Sequence, residues 1–91
     1  MGQPDSGFLR EAILEVITNQ IRQNTPPETK QTYDRLLAEG HSHEEAMTLI
    51  GCVVVSEIYD VLQQKKPYNE ERYVAALRAL PQLPGNRAQG S

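Results

Sequence analysis

The stretch 36-LLAEGHSHEEAMTLIGCVVVSEIYDVL-62 decides the fold. It admits two readings: a helix-turn-helix that breaks at Gly51, or one helix stopping at Gly40 and a single long helix after it. Gly40 suits the left-handed turn that closes a helix. Ser42 followed by Glu45 is an S-x-x-E capping box, and Glu44 and Glu45 then stand where the positive end of the helix dipole favours carboxylates. Beyond them Ala46, Met47, Ile50, Val53, Val54, Ile58, Val61 and Leu62 recur at helical spacing straight past Gly51, with Leu49 and Val55 widening the apolar arc. A DNA-reading helix would carry Arg, Lys, Asn or Gln toward bases and phosphates. Here 52-CVVVSEIYDVL-62 has two acids and no base, a poor match for phosphate. One central helix over about 43–64 is therefore expected. Gly51 costs ~1 kcal/mol of helix propensity within it, which is expected to mark the close approach of a neighbouring backbone.

Outward from this helix the punctuation continues. Lys65, Lys66 and Pro67 end it, and Asn69 with Glu70 and Glu71 starts another that offers Tyr73, Val74, Ala76, Leu77 and Leu80 before Pro81. Upstream, Phe8, Leu9, Ala12, Ile13, Val16, Ile17 and Ile21 form an amphipathic helix within 6–24. In 25-TPPE-28, Thr25 is the expected cap, Pro26 the first helical residue and Glu28 the closing side of a capping box. That helix offers Tyr33, Leu36 and Leu37. The expected fold is all-α: a small antiparallel bundle of about four helices spanning 6–84, with a flexible segment 1–5 and a disordered tail 85–91. Leu83 is expected to lie against the bundle.

The totals narrow the function. Ninety-one residues with twelve acidic and nine basic side chains, net charge −3, offer no electrostatic footprint for nucleic acid or an anionic membrane. Wholly apolar runs such as Cys52 to Val55 are far short of the ~20 residues of a membrane span, and the N-terminus has no signal-peptide pattern. One cysteine excludes an internal disulfide. A cytoplasmic protein with no direct nucleic-acid or membrane contact is expected.

Few residues suggest chemistry. His41, His43, Glu44 and Glu45 are metal-capable, but a closed zinc site needs four converging ligands, and helix punctuation already accounts for this segment. Cys52 sits among Val and Ile, where a thiol is an inert small apolar group. No serine has a partner His and acid at recognisable spacing, and no phosphate-binding loop is present. No catalytic residue and no cofactor are expected. Gln20 and Glu57 break the pattern, each falling within an apolar stripe. They are expected either to pair across a helix interface or, for Glu57, to reach solvent, Arg72 or Arg78.

The elements 19-NQ-20, 26-PPE-28, 36-LLAEGHSHEEA-46, 58-IYDVL-62 and 69-NEERYVAALRALP-81 together resemble a family of short bacterial all-helical proteins known only as a domain of unknown function. The resemblance implies a helical fold and no reaction. Its members are often richer in histidine along the first helix, where this chain has Leu9, Ile13 and Gln20; His43 stands at a matching position.

The function expected from all this is a non-enzymatic module for protein–protein interaction, pairing with itself as a dimer or with another protein. Its surface would involve Leu49, Cys52, Val55 and Tyr59. The alternative is a metal-dependent or acid–base enzyme using Glu57 and His43, which lie fourteen positions apart on one helix and so ~21 Å apart. A transcription-associated role through a partner is the third.

Overall fold

The computed structural model describes the backbone of residues 4–84 and the side chains of residues 8–84. The expected tail 85–91 and the first three residues lie outside the described residues. Four helices follow one another: α1 (Pro4–Gln23), α2 (Pro27–Ala38), α3 (His43–Gln64) and α4 (Glu70–Ala79). Among the described residues there is no strand. The fold is a small all-α bundle.

Two of the three connections use one device. At the end of α2, Gly40 takes φ +105° while its N–H donates to the Leu37 carbonyl and the His41 N–H reaches back to that of Leu36. This is a Schellman motif, which satisfies carbonyls left over at a helix end. The end of α1 repeats it with Asn24 at φ 56°, the Asn24 N–H on Ile21 and the Thr25 N–H on Gln20. Asparagine is among the few non-glycine residues that adopt this conformation readily. The motif overturns the expected start of α2. Thr25 is consumed by the turn, and its hydroxyl donates to the Gln23 carbonyl instead of capping. Pro26 therefore occupies the cap position without a side-chain hydrogen bond, Pro27 begins the helix, and no Thr25–Glu28 capping box forms.

The other two starts follow the sequence. Ser42 Oγ accepts from the Glu45 N–H at 3.0 Å and Glu45 Oε1 accepts from the Ser42 N–H at 3.0 Å, a complete capping box. Asn69 Oδ1 accepts from the Arg72 N–H at 3.0 Å. Helix α3 runs unbroken through Gly51 to a left-handed Lys65.

Helices α2 and α3 each pack against the other three, while α1 and α4 flank this central pair and barely meet. The core holds Ile17 of α1, Leu36 of α2, Ala46, Met47, Ile50, Val53 and Val54 of α3, and Tyr73, Leu77 and Leu80 at α4. Leu83 packs on it from beyond α4, as expected. Gly51 is buried, but no backbone presses on it. A Cβ there would meet Ile13 Cγ2 at 3.5 Å and Ile17 Cδ1 at 3.9 Å, ordinary van der Waals contact. Gly51→Ala is therefore expected to stabilise the fold by about 1 kcal/mol, raising the midpoint of thermal unfolding by roughly 4–8 °C.

Arg35 on α2 has a role its sequence position did not suggest. Its guanidinium donates to the carbonyls of Leu80 at 2.9 Å, Leu77 at 3.2 Å and Arg78 at 3.4 Å, and to Glu39 Oε2 at 3.1 Å. A cation thus sits at the negative end of α4 and ties it to α2. Arg35→Ala is expected to cost about 1 kcal/mol in chemical denaturation, and Arg35→Lys most of that, because an ammonium cannot fork across three carbonyls.

Candidate functional site

The arrangement of the helices leaves one face of α3 uncovered. The side of α3 that carries Ile50, Val53 and Val54 is buried, yet a second apolar stripe runs beside it. Val55 and Ile58 are each 46% exposed, Tyr59 59% and Leu62 68%. Ile58 and Leu62, expected in the core, are surface residues. The reason is placement: α1, α2 and α4 pack around the side of α3 that carries Ile50, and Val55 and Leu62 lie roughly 120–140° round the helix from it. On α1, Leu9 and Val16 are exposed on the same side as this stripe.

Two grooves share this face. The larger, about 740 Å³, is walled by Leu9 and Ile13 of α1, by Gly51, Cys52, Val55 and Tyr59 of α3, and at one end by Leu83 and Pro84. The smaller, about 380 Å³, lies further along α3 among Val16, Val54, Ile58, Val61 and Leu62, with Gln20, Glu57, Tyr68 and Tyr73 as its polar lining. Leu9, Val16, Val55, Ile58, Tyr59 and Leu62 together expose on the order of 600 Å². That is at the top of what a lone domain shows in one patch, and close to the ~800 Å² that each side of a standard interface contributes. Between Thr48 and Gln63 the charged residues of α3 are Glu57, buried against Arg72, and Asp60, which the helical repeat puts on another side. The α3 side of this face is apolar and presents no unpaired charge, while on the α1 side Arg10 is exposed at the larger groove.

Of the surface expected from sequence, Cys52, Val55 and Tyr59 come together in the larger groove. Leu49 does not: it is half-buried on the core and lines a separate hollow with His41, Glu44, Glu45 and Pro81.

The stripe-breaking residues Gln20 and Glu57 line the smaller groove, but no hydrogen bond joins them among the described residues. Each has its own partners. Gln20 Oε1 accepts from the Thr29 hydroxyl at 2.8 Å and from the Tyr73 hydroxyl at 2.9 Å, linking α1 to α2 and α4. Glu57 is bound in a fork by Arg72, with Nε on Oε1 at 3.1 Å and Nη2 on Oε2 at 2.6 Å, and also accepts from the Asn69 N–H at 3.3 Å. The Gln20–Glu57 pair does not form, and of the other partners expected for Glu57 it takes Arg72, because the start of α4 comes within reach of Glu57 while the middle of α4 reaches Gln20. Hydrogen bonding to Glu57 holds the Arg72 guanidinium above its ordinary value. Burial, then the charges of Glu70 and Glu57, raises the Tyr68 hydroxyl, and burial foremost raises that of Tyr73.

The histidine segment makes local contacts. His43 Nδ1 hydrogen-bonds the Tyr33 hydroxyl at 2.8 Å, with the rings edge-on, and His41 Nδ1 lies 3.5 Å from Glu45 Oε1. Glu44 is exposed. Among the described residues no three His, Cys, Asp or Glu side chains converge as a metal-binding group, so His41, His43 and Glu44 do not form the ligand set considered from sequence. His43 and Glu57 sit in separate hydrogen-bonded clusters of α3. No described helix is long and apolar enough to cross a membrane. The chain matches no protein-family model, no curated protein and no solved structure.

Proposed function

We propose that this protein is a helical association module that pairs with a second copy of itself through the apolar face of α1 and α3. The single observation that carries this reading is the second apolar stripe of α3, left bare by neighbours that gather on the other side of the helix. A chain of net charge −3 meets like-charge repulsion whenever it approaches its own copy. A face whose one carboxylate, Glu57, is paired with Arg72 is where that repulsion is least. Leu62 contributes little to the monomer at 68% exposure, so it separates association from folding. Sedimentation velocity from about 10 to 500 μM is expected to show a concentration-dependent dimer, which Leu62→Lys weakens more than ~10-fold with unchanged helicity and thermal midpoint in dilute solution. A wild-type protein that stays monomeric throughout would refute the proposal.

A further inference from the structure

The uncovered stripe has an internal order that specifies how two copies meet. Thr48, Cys52, Val55, Tyr59 and Leu62 are separated by four, three, four and three residues. This is the alternation that lets two helices pack side by side along a narrow seam. The seam differs between its ends. Its N-terminal half carries the small side chains of Thr48 and Cys52 beside Gly51, whereas its C-terminal half carries the large Tyr59 and Leu62. The charges at its ends differ too. Glu44 is exposed in the first turn of α3, and Lys65 and Lys66 are exposed just past its last turn.

From these three features we infer that the second copy lays its α3 antiparallel on this one, about a two-fold axis passing beside Val55. This rests on the self-association reading above and adds the orientation of the pair. In that arrangement Val55 faces its own counterpart, Cys52 comes opposite the partner's Ile58, next to the partner's Tyr59, and Thr48 faces the partner's Leu62. The large side chains of each helix come against the small ones of the other. Each Glu44 lies beside the partner's Lys66, and the two helix dipoles oppose. A parallel pair would set small side chains against small, large against large and Glu44 against Glu44. Shape and charge both select the antiparallel form, and the symmetry is closed, so pairing stops at two.

Thiol cross-linking tests the orientation. Val55→Cys in a Cys52→Ser background places two thiols beside the axis, within reach of a bifunctional maleimide of ~8 Å span. Native Cys52 lies three residues from the axis in each copy, so two such thiols are separated by ~9 Å along the helices as well as across them. Val55→Cys is expected to give the covalent dimer fastest, native Cys52 more slowly, and Gln31→Cys in the Cys52→Ser background, on the exposed side of α2, none. Charge exchange provides an independent readout: Glu44→Lys is expected to weaken the dimer about 3- to 10-fold, and adding Lys66→Glu to restore it. A dimer in which native Cys52 cross-links faster than Val55→Cys, or in which the charge exchange fails to restore affinity, would overturn the antiparallel arrangement while leaving self-association standing. A wild-type protein that is monomeric throughout the sedimentation series would instead remove both.

Discussion

Gln20→Leu is expected to be among the most damaging single substitutions in this protein, although leucine suits the apolar stripe in which Gln20 sits. The amide oxygen is the shared acceptor for two hydroxyls, those of Thr29, fully buried, and Tyr73, 3% exposed. Removing it leaves two buried donors without their partner, at about 1–3 kcal/mol each, and the leucine side chain returns only part of that. The expected net loss is about 2–3 kcal/mol, or roughly 10–20 °C in the thermal midpoint. Adding Thr29→Val and Tyr73→Phe to Gln20→Leu removes the orphaned hydroxyls and is expected to recover much of the loss, since replacing all partners by apolar groups of similar shape is far milder than breaking one. A Gln20→Leu protein as stable as wild type would show that the cluster contributes nothing. The same cluster sets an alkaline limit. Tyr73 ionises above its unfolded value of ~10 because burial disfavours the phenolate. A group whose folded value is raised contributes its stability fully below the unfolded value and loses it as pH rises through the folded one. Stability is therefore expected to be insensitive to this residue up to about pH 10 and to fall above it, with the Tyr73 phenolate absorbance appearing late in the titration.

The second large effect is expected at Glu57. The residue is 7% exposed, and its carboxylate holds both Arg72 and the backbone N–H of Asn69, the residue that caps α4. Glu57→Ala removes the anchor that positions the start of α4 on α3, and leaves the guanidinium without its counter-charge. Arg72 keeps about a third of its side chain in solvent, so it relaxes outward and the loss is smaller than for a fully enclosed pair. A fall of roughly 10 °C in the thermal midpoint is expected. The effect has a location: hydrogen exchange at the amides of Asn69 and Arg72 is expected to accelerate more than exchange in α2. Arg72→Ala in the Glu57→Ala background is expected to add little, because the two side chains form one unit. Fully additive losses would show that each acts alone.

Helix α3 was readable almost to the residue. Gly40, Ser42, Glu45 and the lysines after Gln64 are local signals, and capping is decided by groups within a few residues of one another. The start of α2 was misplaced for the same local reason: Thr25 suits two adjacent roles, and the left-handed Asn24 gave it to the turn. Of the partners of Gln20 and Glu57, only Arg72 was among those expected from sequence. Their positions on apolar stripes marked them as unusual, but Thr29 is nine residues from Gln20, Tyr73 is fifty-three, and Arg72 is fifteen from Glu57. Such partners are chosen by how helices cross.

The sequence by itself determined that this chain forms four helices, where three of them begin or end, and that α3 is apolar around most of its circumference, because propensity, capping and periodicity act over one or two turns. Only the tertiary structure decided which part of that circumference is covered. Burial depends on the placement of neighbouring helices, and α1, α2 and α4 gather on the Ile50 side of α3 and leave bare the stripe that ends in Leu62. The same apolar pattern that predicts a core residue thus yields Ile50 at the centre of the bundle and Leu62 on the face proposed for pairing.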